Sequence, residues 1–156
     1  MSLEKAKKYL EEKGMAERVL EFEVSSATVE LAAQAVGCEP EKIAKSLTFM
    51  AADGPVMILC AGDAKIANPK YKEFFGCKAK MLTREEVSEL IGHEVGGVCP
   101  FGINDGVKVY LDESLKRFEI VYPACGNASS AVKLSLNELE QLSGSAGWID
   151  VCQIPE

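Results

Sequence analysis

The stretch Gly96-Gly97-Val98-Cys99-Pro100-Phe101-Gly102 is an apolar loop punctuated by three glycines and a proline. Glycine lacks the Cβ that would hold a ligand or a second chain segment at a distance, and Pro100 fixes one φ. Such a loop can therefore keep main-chain N–H groups in a preset arrangement. A tight connection between a helix and a strand uses the same residue types, so the loop alone leaves both uses open. Two further stretches bear on it. Ile43-Ala44-Lys45-Ser46-Leu47-Thr48-Phe49 puts a lysine where a helix gives way to a strand, and Ala124-Cys125-Gly126-Asn127-Ala128-Ser129-Ser130 is a glycine turn.

Around these motifs the chain reads as continuous, without linker, repeat or low-complexity segment. With 156 residues, 47% of them apolar, one domain spanning 1–156 with a sizeable core is expected. No run approaches the roughly 18 apolar residues of a membrane span, and Ser2-Leu3-Glu4-Lys5 is no signal-peptide core, so a cytoplasmic protein without a membrane partner is expected. Six cysteines include no CxxC pair, and His93 is the single histidine. That spacing offers no metal set and points to reduced thiols with no metal or cofactor. A net charge of −7 excludes a broad phosphate-gripping surface and hence a DNA partner. Lys65, Lys70, Lys72, Lys78 and Lys80 form the only dense basic stretch, either a small RNA footprint or a solvated helix face followed by a strand.

Local signals order the elements. A helix is expected over residues 3–13, capped by Ser2 and stopped by Gly14, then a strand from Arg18 to Val24 and a helix from the Ser26 cap to Val36. Pro40 begins a short helix, Glu41 to Ala44, and the chain then runs extended from Ser46 to Ala51. Asp53-Gly54 signals a hairpin into Pro55 to Ala61. Asn68-Pro69 opens a helix closed by Gly76, and capping boxes at Thr83 and Ser135 start two more. Strands are expected near 107–111, 118–122 and 130–134. Helices interleaved with at least six strands, two joined by a tight hairpin, imply a mixed sheet in an α/β (mixed α+β) fold.

In their order and spacing the three motifs resemble the YbaK and prolyl-tRNA-editing-domain family of aminoacyl-tRNA deacylases, over about Phe22 to Leu142. The resemblance implies a curved, barrel-like mixed sheet packed by helices, with a pocket open at one end. It implies hydrolysis of the ester of a mischarged small amino acid, cysteine or alanine, on tRNA, with tRNA for proline as the expected carrier. The acceptor end of aminoacyl-tRNA would be the partner, with an aminoacyl-tRNA synthetase as a second. Lys45 would be the catalytic residue, acting electrostatically on a phosphate or carbonyl. Ser46, Gly97, Val98, Cys99, Pro100, Phe101, Gly102, Gly126 and Asn127 would bind substrate.

Read without the resemblance, Lys45 is a snorkelling lysine, Cys99 a buried small residue lacking an adjacent base, and Asn127 a turn residue tolerating positive φ. His93, after a helix-ending glycine, reads as a dipole partner or surface residue, Asp63 and Lys65 as a local ion pair, and Ser129 and Ser130 as ribose contacts or strand caps. Ser46 matches neither the threonine of cysteinyl-type relatives nor the asparagine of alanyl-type ones. Ala131 stands where the cysteinyl type has an acidic residue, and Tyr122 where the alanyl type has histidine. Cysteine and alanine therefore both stay open. The alternative from another class is a non-catalytic module of the same fold that binds a nucleotide, small ligand or protein. A thiol-redox role lacks the CxxC pair it would need.

Overall fold

An unbroken apolar run such as Pro55-Val56-Met57-Ile58-Leu59-Cys60-Ala61 makes a strand only if both faces are covered. The structure, a computed structural model describing residues 2–155, places it in β3 (Gly54–Ala61), with Val56 through Ala61 all buried. β3 pairs antiparallel with β2 (Ile43–Ala51), from Ala44 opposite Ala61 to Ala51 opposite Gly54. The hairpin turn is thus Ala52-Asp53, one residue earlier than the Asp53-Gly54 signal implied. Gly54 opens β3 at φ 130°.

Four more strands complete a six-stranded mixed sheet in the order β8-β6-β2-β3-β5-β9. β5 (Lys108–Asp112) runs parallel to β3, and β9 (Trp148–Ile149) parallel to β5. β6 (Ile120–Pro123) is parallel to β2, and β8 (Leu134–Ser135) antiparallel to β6. The sheet curls into a half-barrel, the mixed α/β architecture expected. Two small ladders flank it: β1 (Val19–Glu21) with β7 (Ser130–Val132), and β4 (Lys65–Ile66) with β10 (Cys152–Gln153).

Helices close the core. α1 (Ser2–Glu12) buries Ala6 and Leu10, and α2 (Val29–Val36) buries Ala32 and Ala33 before ending at left-handed Gly37. α3 (Asn68–Phe75), with Pro69 in its first turn, buries Tyr71 between Phe49 and Phe75. Both capping boxes form, Thr83 with Glu86 at α4 (Arg84–Glu86) and Ser135 with Glu138 at α5 (Leu136–Leu142). α4 continues as a wider π-turn through Ile91, with Gly92 N–H donating to Val87 O. Among the described residues no helix is long and apolar enough to cross a membrane.

Several local expectations are displaced by tertiary contacts. Ser2 lies inside α1 and its hydroxyl donates to Gly126 O instead of capping. Ser26 is buried with its hydroxyl donating to Ser130 O, so Thr28 caps α2. The helix read over Glu41 to Ala44 is a 3₁₀ turn at Pro40–Lys42, because Ile43 and Ala44 pair with Tyr122 and Pro123. The 18–24 strand shrinks to Val19–Glu21, the length over which β7 pairs with it. The 130–134 strand divides at Lys133, where the chain changes partner from β1 to β6.

Asp112, at the end of β5, is 1% exposed, and its carboxylate accepts from Ser114 N–H and Val151 N–H, both at 2.9 Å. It ties the turn after β5 to the segment before β10. Asp112→Ala should leave both amides unpartnered and lower unfolding stability by about 3 kcal/mol, measured by urea denaturation.

Candidate functional site

β2 has a second edge, facing away from β3, and this edge is covered in two pieces. β6 covers Ile43 and Ala44. The segment 80–82 covers the far end, with Met50 N–H donating to Lys80 O at 2.9 Å and Leu82 N–H donating to Thr48 O at 3.1 Å. A cavity of about 360 Å³ opens over the stretch between them, closed on its other sides by the start of α2, the end of β6 and part of the glycine-rich loop. Its wall is mostly apolar. The only charged residues lining it, among the described residues, are Lys45 and Arg84, and neither makes an ion pair.

Lys45 lies inside β2, half-buried and opposite Cys60, rather than at a helix-to-strand boundary. Its Nζ donates to Gly62 O at 3.4 Å. Gly62 has no room for a Cβ, which would overlap Pro40 O, so the exit of β3 is clamped against the turn preceding β2. Next to it, Asp63 is gripped by Arg117 through two contacts of 2.6 and 3.0 Å. Those hydrogen bonds hold the Asp63 carboxyl below the usual carboxylate range, with a smaller push from Lys45. The expected Asp63–Lys65 pair is therefore replaced by Asp63–Arg117; Lys65 is exposed on β4.

The structure distributes the other sequence-selected residues unevenly. Ser46 and Val98 line the cavity, joined by Gly96, Tyr122, Ser130 and Ala131. Gly97 is buried against the third motif: a Cβ there would overlap the Asn127 backbone, and Gly97 O accepts from Gly126 N–H at 2.9 Å. Cys99, Pro100 and Phe101 are buried away from the cavity wall, Phe101 stacking on Tyr9 at 6.3 Å. Gly102 packs on the backbone of Lys5. Asn127 keeps negative φ, the left-handed position falling to Gly126 at 93°, and its Oδ1 accepts from Ser129 N–H at 3.0 Å. Loop and turn thus lock together as a unit whose accessible corner, Val95, Gly96 and Val98, meets the cavity.

His93 is not at the surface. It is 1% exposed, and its Nε2 donates to Phe101 O at 2.7 Å while lying 3.5 Å from Cys99 Sγ. No base adjoins Cys99 along the chain, and the fold supplies an imidazole. The pair is nevertheless inert as a nucleophile: burial pushes the Cys99 thiol far up, and the imidazole proton is committed to a carbonyl. Burial likewise lowers the His93 pKa below its ordinary 6.5, more than the Phe101 hydrogen bond raises it. Among the described residues no group of three or more His, Cys, Asp or Glu side chains is placed to hold a metal ion.

Sequence reasoning missed the opposite wall. Met81 and Val95, exposed by 60% and 46%, flank the mouth, yet neither belongs to a periodic pattern. Arg84 was visible inside the Thr83 capping box, but only as the start of a helix. Thr28 and Val29 enter because α2 begins later than its sequence signal.

A family model described as an aminoacyl-tRNA editing domain matches residues 23–142. The chain is 50% identical over 154 residues, 98% of each chain, to the uncharacterized protein YwhH of Bacillus subtilis (strain 168). It is 36% identical over 124 residues to the proline–tRNA ligase of Halalkalibacterium halodurans, matching 78% of this chain but only 21% of that enzyme. A crystal structure of a protein provisionally described as a trans-editing enzyme for prolyl tRNA synthetase superposes with a TM-score of 0.88 at 33% identity, covering 97% of both chains.

The buried neutral imidazole gives a signed pH dependence. As pH falls below about 6.5 the unfolded chain takes up a proton that the fold resists, so stability declines. His93→Gln, which keeps an N–H for Phe101 O, removes that dependence. Denaturation midpoints of wild type and His93→Gln should converge between pH 7 and pH 5; a constant gap would contradict a depressed imidazole pKa.

Proposed function

The chain belongs to the aminoacyl-tRNA editing domain family, and we propose that it is a trans-acting deacylase. In this reading it hydrolyses the ester between a mischarged small amino acid, cysteine or alanine, and the 3′ end of tRNA, with tRNA for proline as carrier. The observation that carries the reading is the cavity itself: an apolar recess whose charged residues are two unpaired cations, in a chain of net charge −7. A small side chain suits the apolar wall, and the phosphodiester end of tRNA suits Lys45 and Arg84. A synthetase pocket separates side chains differing by one methylene by only about 1–3 kcal/mol, so mischarging requires a second hydrolytic site.

Among the described residues the same wall has no His, Cys, Asp or Glu side chain to act as base or nucleophile. Such a site works by positioning and electrostatics. Lys45 stabilises charge developing at the ester carbonyl as water attacks, or as the substrate's own thiol attacks when the amino acid is cysteine. Val98 and Gly96 bound the amino-acid side chain. The remaining loop and turn residues, Gly97, Cys99, Pro100, Phe101, Gly102, Gly126 and Asn127, act by holding that corner in place. With so acidic a chain, contacts beyond the acceptor end fall to a partner, an aminoacyl-tRNA synthetase, in the cytoplasm where charged tRNA is used.

The test is release of amino acid from Ala-, Cys- and Ser-charged tRNA for proline, with Pro-tRNA as the control. Wild type should release one of the small amino acids rapidly, and Lys45→Ala should lower the rate by about 100-fold or more. Absence of release from every substrate would replace the deacylase with a binding module of the same fold.

A further inference from the structure

The stretch of β2 under the cavity has an unused hydrogen-bonding edge. Along a strand, successive residues direct their N–H and C=O to opposite sides. Thr48 O and Met50 N–H both engage the 80–82 segment, so the even-numbered residues of β2 address the edge away from β3. Ser46 belongs to that set. β6 reaches only to Ala44, and the 80–82 segment only to Thr48. The N–H and C=O of Ser46 therefore face the cavity with no strand opposite, a gap one residue long. The Ser46 hydroxyl, on the same wall, is buried and has no hydrogen-bond partner. A buried polar atom without a partner is costly, and this one, beside an unpaired stretch of strand edge, marks a place where a polar ligand belongs.

We propose that Ser46 is a strand-edge receptor for the aminoacyl group, through its main chain as well as its side chain; this rests on the deacylase reading. Two directly opposed residues of an antiparallel pair exchange both of their N–H···O bonds. An aminoacyl ester carries the same two groups: an α-amino donor and a carbonyl acceptor separated by one carbon. Docked in the gap, it donates from its α-amino group to Ser46 O and accepts at its carbonyl from Ser46 N–H, as a single residue of an added strand. The Ser46 N–H then points at the oxygen that becomes negative when water adds to the ester carbon. In the glycine-rich loop the Gly97 N–H is already donated to Glu94 O, so that amide is not the donor. β6 on Ala44 and Leu82 N–H on Thr48 O bound the gap on its two sides, which suits a single residue rather than a prolonged peptide.

Two measurements test this. In the first, Ser46 is replaced by its α-hydroxy analogue, converting the preceding amide to an ester and deleting one N–H while keeping the side chain. That N–H belongs to no ladder, so the thermal midpoint should fall only by what the weaker ester carbonyl of Lys45 costs in the β2–β3 ladder, whereas hydrolysis of small-aminoacyl-tRNA should fall about 10²–10³-fold. In the second, wild type is titrated with 3′-(L-alanylamino)-3′-deoxyadenosine, a non-hydrolysable mimic, and the Ser46 amide proton should move downfield, with free alanine giving a smaller response. Wild-type hydrolysis that the N–H deletion leaves intact overturns the edge site and leaves the deacylase standing. So does a mimic that shifts Val98 and Leu47 but not the Ser46 amide. Failure of wild type to hydrolyse any charged tRNA overturns both together.

Discussion

Everything in this molecule hangs on the eight-residue register between β2 and β3. β3 is the apolar centre of the sheet, and its burial on both faces fixes which way every residue of β2 points. A one-residue slip would exchange the faces of β2 and turn Ser46 and its neighbours away from the cavity. The clamp of Gly62 on the Pro40 turn secures the far end of the same hairpin, so the stem of Lys45 rises from a rigid base. The site is in this sense a by-product of how completely β3 is covered and how incompletely β2 is.

Charge is arranged against the overall balance. The protein is acidic, yet among the described residues the cavity wall holds Lys45 and Arg84 and no carboxylate. Asp63, the carboxylate that feels the Lys45 charge, is occupied by Arg117 in a two-point pair. Lys45 is thus left with a carbonyl contact at 3.4 Å, a weak hold that an incoming anion can outcompete. An isolated positive recess on a negative body attracts a polyanion at one point and repels it elsewhere, which favours recognition of an end over recognition of a length.

The sequence made the class of fold and its hairpin legible because those follow from local rules: an apolar run too long to be half-exposed, a turn dipeptide, two capping boxes. Boundaries went astray wherever a distant strand claimed the backbone, as at Ile43, Ser26 and Lys133. Of the candidate site, Lys45, Ser46 and Val98 were found at the cavity. Cys99, Pro100 and Phe101 were found in the interior, since a loop motif says which residues are unusual but not which way they face. His93 was misread for the complementary reason: no periodicity surrounds it, and its burial comes from Phe101 and Cys99 folding back over it. The wall contributed by Met81, Arg84 and Val95 could not be read locally as a wall, since it exists only where the 81–84 segment and the glycine-rich loop converge on β2.

That convergence has a kinetic side. Tyr9 Oη donates to Leu142 O across 133 positions, and Arg18 meets Glu138 across 120. The edge of β2 is likewise finished by a strand from the C-terminal half. Contacts of such long range carry a loop-closure cost that must be met before they return any stability, and chains rich in them fold slowly. The β2–β3 pairing, by contrast, is local in sequence, and alone it would leave the outer edge of β2 bare over its full length. Only when β6 and the 80–82 segment dock is that edge reduced from a general strand-pairing surface, prone to self-association, to a gap one residue long. The docking that assembles the cavity is thus also what withdraws the sheet's exposed pairing edge.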